Sequence, residues 1–372
     1  MGEKLCVTPV KFEDHVEITS LLRRLDMVVP KSSSDAQRLW SGLWLKNPAL
    51  MHNGNNPALG WKVEDQGKIV AFFGNIPQIS WVGKKKFRVS AARAWAVEKK
   101  YRFLVPKLCK AFFEQENADL VLISSANEGA GRRCIEYGGA KMPDQSYGEV
   151  LYWVVSLGGF SRAILQKMGA PKSLSKIAAL ADIFPLSLIT NITSKNLQNI
   201  NTLPVKFIEK EFDVLWNKLK VAHPQCLLAT RNAETLKWYF GLGSFAEKTK
   251  FIVHHKDGVL VGYAAVVRED VPSINLRRLK IADLVVLEND PETVINLIIS
   301  AYREAQIQNC HVIELIGLPL NIRKIVSQLK PLRRKMSVFP FYYKALNSTL
   351  VSPLEKQKNW YVTSFDGDTG LV

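Results

Sequence analysis

From residue 58 onward the chain sets short apolar runs around polar turns. Ala58-Leu-Gly-Trp-Lys-Val63, then Glu-Asp-Gln-Gly67, then Lys68-Ile-Val-Ala-Phe-Phe73 predicts a β-hairpin. Asp and Gly tolerate the turn, and the flanks are rich in β-formers. Val89 to Val97 predicts a third strand. The period then changes at Tyr101-Arg102. Leu104, Leu108 and Phe112 fall four apart, one stripe of a helix. Leu120-Val-Leu-Ile-Ser-Ser125 is a short apolar run of the kind that forms a buried strand. Asn127-Glu-Gly ends it, and Gly131 to Tyr137 predicts a helix before Gly138-Gly139.

Two helices are expected ahead of this block. Residues 11 to 27 carry an amphipathic set from Phe12 to Leu25. Ser32 to Asp35 supplies a turn and a cap, Asp35 to Leu45 a second helix, and Asn47-Pro48 a stop. Trp40 and Trp44 share a face of that helix. They serve either as core or as a stacking surface for an acceptor. Downstream, Leu151 to Val155 is expected to end the first sheet. Phe160 to Met168 and Leu174 to Leu188 form apolar helices that pack between domains or lie on an anionic membrane, and Asn191 to Asn201 forms a linker.

A second copy of the pattern then begins near Pro204. Gly67-Lys-Ile-Val-Ala-Phe corresponds to Gly258-Val-Leu-Val-Gly-Tyr, and Val121-Leu-Ile to Val312-Ile-Glu, both at a separation of 191 residues. A constant offset across the intervening helices indicates a tandem duplication. The expected architecture is therefore α/β, with two repeated units whose mixed central sheets are flanked by helices. The units are residues 1–157 and 204–372, joined by a connector at 158–203. The copies differ between strand and helix: Lys99-Lys-Tyr-Arg102 in the first, Glu288-Asn-Asp-Pro-Glu292 in the second. A helix start attracts a pyrophosphate and basic residues add to that attraction, so the first copy is the expected anion site.

This order resembles the GNAT acyltransferase superfamily. Trp95-Ala-Val97-Glu-Lys-Lys-Tyr101-Arg102 is similar to that family's fourth strand and the start of its coenzyme A loop. Asn127 with Arg132 to Gly139 is similar to its fifth strand, following helix and closing glycine. The resemblance implies an acyl-CoA co-substrate, acetyl-CoA by default, held by Val97, Lys100, Arg102, Phe103, Leu104, Val105 and Lys107. It implies Glu98 as base and Asn127 as a residue fixing the coenzyme arm or a water. Trp40, Trp44, Arg231, Asp283 and Tyr343 would line the acceptor. The sequence departs from the family twice: Phe103-Leu-Val-Pro-Lys107 replaces the small residues of the coenzyme loop, and Ile135 stands where a general-acid tyrosine is frequent. Asn232-Ala-Glu-Thr-Leu-Lys-Trp238 with the Trp360 to Asp368 ending is similar to bacterial tandem GNAT proteins of cell-envelope polysaccharide synthesis. A glycan or other small-molecule amine is the implied acceptor.

Composition adjusts this picture. The net charge of +16, from 50 Lys and Arg against 34 Asp and Glu, suits coenzyme phosphates, nucleic acid or an anionic membrane. It therefore keeps open a FemAB-like transferase drawing on aminoacyl-tRNA, and a non-catalytic adaptor at a membrane surface. Five scattered cysteines point to reduced thiols and a cytoplasmic protein, possible contact with the inner membrane face included. No apolar run approaches the roughly 18 residues of a membrane span. No metal spacing, hydrolase triad or Walker loop is present.

Overall fold

A computed structural model describes residues 5–51, 57–170, 197, 199–243 and 245–368. The first half runs β1 (Thr8–Pro9), α1 (His15–Arg24), α2 (Ser33–Trp40), β2 (Gly60–Asp65), β3 (Lys68–Val82), β4 (Lys85–Val97), α3 (Val105–Phe113), β5 (Leu120–Ile123), α4 (Glu128–Glu136), β6 (Ala140–Lys141) and β7 (Glu149–Val154). Helix α5 (Leu157–Lys167) follows. The second half holds β8 (Ile200–Pro204), α6 (Lys210–Ala222), β9 (Leu228–Ala229), α7 (Ala233–Phe240), β10 (Thr249–Lys256), β11 (Val259–Arg268), β12 (Arg278–Val286), α8 (Pro291–Ile307), β13 (Val312–Ile316), α9 (Leu320–Ser327), β14 (Leu332–Lys335) and β15 (Tyr342–Ala345).

The predicted hairpin is β2–β3, and each half builds the same core. In one, β2, β3 and β4 are antiparallel and β5 joins β4 in parallel; in the other, β10, β11, β12 and β13 do the same. The mixed α/β class with two helix-flanked sheets is as the sequence implied.

The last strands depart from expectation. β7, expected to close the first sheet, pairs instead with β13 and β14 of the second. β15 pairs with β5 and β6 of the first. The sheet orders are β1-β2-β3-β4-β5-β15-β6, with β9 on β3, and β14-β7-β13-β12-β11-β10-β8. Sheet membership thus does not follow a division at residues 157 and 204. The physical reason lies in side chains: Leu151 and Trp153 of β7 pack in the core of the second half, and the Trp153 indole donates to Leu329 O at 3.0 Å.

The face of the first sheet bearing α1 and α2 shares one core with the second sheet. Trp40 and Trp44 lie in the same cluster as Tyr239, Phe240 and Phe251. After α2 a single π turn, Ser41–Leu45, brings Gly42 against the second half. There the Trp238 indole donates to Gly42 O at 2.7 Å, and a Cβ on Gly42 would sit 2.5 Å from Leu242 Cδ2. The opposite face packs on α3, where Phe73 and Phe112 stack at 4.1 Å.

Helix α5 packs against the second half. Gly159 leaves no room for a Cβ beside His311, and Gln166 Nε2 donates to Ser273 O at 3.2 Å. The expected helix at Leu174–Leu188 lies outside the described residues. The linker expected up to Asn201 gives way at its end to β8, an edge strand on β10. Among the described residues no helix is long and apolar enough to cross a membrane.

Candidate functional site

The site follows from how β4 and β5 part. Their parallel pairing runs from Val89 with Leu120 to Ala91 with Leu122 and then stops, while β4 continues to Val97. A bulge between Arg93 and Trp95 bends β4 away, with Ala94 in the left-handed region at φ 50°. The gap is a cleft of about 800 Å³. One wall is Arg93 to Val97; the other is Ile123 to Ala130 at the start of α4.

The edge of β4 facing the cleft carries free hydrogen-bonding groups. Glu98 N–H donates to Val70 O at 3.0 Å. Alternation along an antiparallel pair then turns the N–H and C=O of Val97 to the other edge, beyond the reach of β5. A linear amide chain could pair there, and an N–H on this edge could face a developing oxyanion.

The mouth is basic. Arg102, at the end of the 3₁₀ turn Lys99–Leu104, and Arg133 of α4 both line it. Arg133 also pairs with Glu136. The starts of α3 and α4 converge here, and the positive ends of the two helix dipoles add to a field that favours an anion.

The floor holds two charges that the sequence reading did not place. Arg93 lines the cleft and makes no hydrogen bond or ion pair with the described residues. Burial pushes the pKa of its guanidinium down, while Asp368 and Tyr239 nearby pull it up. Asp368 lines the same cleft. It accepts from Ser124 Oγ at 2.8 Å and Ser125 Oγ at 2.9 Å, and its N–H donates to Ser124 Oγ at 2.9 Å. Gly367, at φ 87°, lets the chain pass: a Cβ there would lie 2.2 Å from Ser124 Oγ. One sequence signal for Arg93 did exist. It is a lone cation in a run of small and apolar residues, Ser90-Ala-Ala-Arg-Ala-Trp-Ala-Val97.

Of the expected coenzyme residues, Val97, Arg102 and Val105 line the cleft. The other four do not. Leu104 is buried in the α3 core, Phe103 points outward at 66% exposure, Lys100 lies over the Tyr101 ring at 4.6 Å, and Lys107 is exposed. The expected N–H cradle from Phe103 to Lys107 is instead a 3₁₀ turn running into α3, where Val105 N–H is taken by Arg102 O and Pro106 has none. Tyr137 stacks on Phe113 and donates to Pro106 O at 2.8 Å, away from the cleft.

Glu98 is not in the cleft: its carboxylate accepts from Arg24 Nε at 2.9 Å. Asn127 does line the cleft, but its Oδ1 caps α4 by accepting from Ala130 N–H at 2.9 Å. The expected acceptor residues are all enclosed. Trp40 and Trp44 are core, their indoles donating to Thr19 Oγ1 and Asn75 O. The Tyr343 hydroxyl donates to Leu354 O at 3.1 Å. Arg231 and Asp283 are fully buried against each other, Nε to Oδ2 at 3.0 Å.

That last pair belongs to a plug. By strand pairing Asp283, opposite Ala265, occupies the place in the second half that Arg93, opposite Gly74, occupies in the first. Residues 361–366, all buried, fill the parting of β12 and β13. Tyr361 donates to Leu284 O, Ser364 Oγ to Ile316 O, and Thr363 Oγ1 to Asp283 at 2.7 Å. Arg231 reaches Asp366 at 2.9 Å and lies over the Phe365 ring at 4.7 Å. Burial works against the Arg231 charge, yet Asp283 and Asp366 hold its pKa well above the ordinary value. For Asp366 burial prevails over the arginine and pushes its carboxyl pKa up. Among the described residues no group of three or more His, Cys, Asp or Glu could hold a metal ion.

No protein-family profile matches the chain, and no curated protein sequence does. Solved structures do. A GCN5-related N-acetyltransferase from Kribbella flavida aligns over 93% of this chain and 72% of its own, with a TM-score of 0.54 at 11% identity. One from Anabaena variabilis ATCC 29413 aligns over 92% and 73%, with a TM-score of 0.54 at 13% identity. A conserved protein of unknown function and probable N-acyltransferase from Enterococcus faecalis V583 gives a TM-score of 0.58 at 8% identity over 92% and 73%. The chain therefore has the fold of the GCN5-related N-acetyltransferases, spread over both of its halves.

Proposed function

We propose that the protein is an acyl-CoA-dependent N-acyltransferase whose donor site is the cleft of the first half. One observation carries this reading: β4 and β5 part around an open space with arginines at its mouth, while the matching space in the second half is filled. When bound, the coenzyme supplies an activated acyl group as a thioester. Arg102 and the helix starts would hold its diphosphate, and the free edge of β4 around Val97 would pair with its amide arm and aim the thioester inward. The N–H on that edge would receive the negative charge that forms on the carbonyl oxygen during attack.

Calorimetric titration with acetyl-CoA and with free CoA tests this. Micromolar binding at one site is expected. Absence of binding at millimolar ligand would overturn it.

For the acceptor we favour an amine, an amino sugar of the cell envelope in keeping with the Asn232 to Trp238 resemblance. Five free thiols support a cytoplasmic setting. The equal sheet orders and constant offset support origin by duplication of one unit. A second reading rests on the closed turn at Lys99–Leu104, which offers less to a diphosphate than an open glycine loop. It is transfer from aminoacyl-tRNA, and binding of tRNA that weakens steeply with salt would favour it.

A further inference from the structure

Arg93 and Asp368 face one cavity at its inner end, opposite in charge, and form no ion pair with each other. A salt bridge would have satisfied both. Instead Asp368 accepts from the hydroxyls of Ser124 and Ser125, while among the described residues the Arg93 guanidinium has no hydrogen-bond acceptor. A half-buried guanidinium and a buried carboxylate held apart in this way are each desolvated, which is costly unless a ligand completes them. A molecule with two opposite charges would complete both at once.

We infer that the inner end of this cleft is a subsite for an acceptor carrying both an ammonium and an anionic group, the ammonium on Asp368 and the anion on Arg93. The inference rests on the acyl-transfer reading and narrows its acceptor. It also gives the amine a route to reactivity. The bound R–NH3+ passes one proton to Asp368 or a water beside it, and the freed lone pair attacks the thioester carbonyl. A carbon–nitrogen bond forms and the carbon–sulfur bond breaks. A second proton from nitrogen goes to the departing thiolate, leaving an amide and the free thiol. Asp368 comes from the tail that plugs the second half, so one segment closes one cleft and equips the other.

The test is calorimetry on the full chain saturated with CoA, using matched probes on two scaffolds. These are phosphoethanolamine with ethanolamine and ethyl phosphate, and 4-aminobutyrate with butylamine and butyrate. On at least one scaffold the doubly charged probe should bind ten or more times as tightly as both singly charged relatives. Arg93→Gln should reduce it to the affinity of the amine alone, and Asp368→Asn to that of the anion alone. CoA affinity should change by less than threefold in either variant. Equal affinities within both sets, or no probe binding while CoA binds, would overturn the inference and leave the donor site standing. Loss of CoA binding in Arg93→Gln would overturn it too, since Arg93 would then be a donor-site residue. If CoA fails to bind the wild type, the acyl-donor reading falls, and the probes, titrated into the free protein, still decide the subsite by the same criterion. Should a variant fold poorly, the wild-type ranking of the probes decides alone.

Discussion

The two halves begin from the same strand order and end with opposite interiors. In the first, the gap between β4 and β5 is open, floored by Arg93 and rimmed by Arg102 and Arg133. In the second, the matching gap holds Tyr361, Thr363, Phe365 and Asp366, and its matching residue is Asp283 rather than an arginine. The helix starts differ likewise. Asp290 caps α8 and pairs with Lys256, whereas α3 has no side-chain cap. The same backbone can serve as a binding site or as a foundation. A few charged residues at the parting of two strands decide which.

The largest effect should come from breaking the plug. Arg231→Ala leaves Asp283 and Asp366 buried without their cation, and removal of one partner from such a pair costs about 3–5 kcal/mol. Chemical denaturation should show the loss, with acyl-CoA binding failing together with the fold. A variant of full stability would show that the second half does not depend on its filling. Next, Gly367→Ala forces a Cβ onto Ser124 at a left-handed backbone position. It should cost about 1–3 kcal/mol in the same assay.

Charge reversal tests which helix start meets the donor. Arg102→Glu should weaken acetyl-CoA at least tenfold, about 1.4 kcal/mol, while Glu292→Lys should leave it unchanged. Equal losses would refute the assignment of the site to the first half. The smallest effect is in pH. Burial lowers the pKa of His223 and His254, both in the second half, so folding disfavours their protonated forms. Unfolded imidazoles take up protons below about 6.5, and stability from these groups is present above that value and falls as the pH drops through their lower folded pKa values. Hydrogen exchange between pH 7.5 and 5.5 should loosen β10 before β3; the reverse order would contradict this.

Much of this was legible in the sequence, for reasons that differ by region. The hairpin at Gly67, the parallel strand at Leu120 and the helix between them announce themselves by period and turn chemistry, which are local. The offset of 191 residues brought out the repeat. The exchange of β7 and β15 was not legible. An apolar strand such as Glu149–Val154 states that it will be buried, not against which neighbour, and two equivalent vacancies existed. Arg102 and Val97 line the cleft as expected of a helix start and a strand end, whose positions are recognisable in sequence. Trp40, Trp44, Arg231, Asp283 and Tyr343 were misassigned because rare residue types suggest chemistry, whereas their burial is a property of the tertiary fold. Glu98 misled because only the fold brings Arg24, 74 residues earlier, to its carboxylate.

The exchanged strands also set a timetable. A chain leaving the ribosome has β5 paired with β4 by residue 123, yet the second neighbour of that strand is not made until residue 345 and the floor of the cleft not until residue 368. Meanwhile β5 presents an unpaired edge, and β7 waits for β13 to be translated. A first half alone lacks β15 on its sheet and Asp368 at the floor of its cleft. The arrangement makes completion of the first sheet and of its cleft wait until synthesis has run through residue 368, and it leaves strand edges open until then.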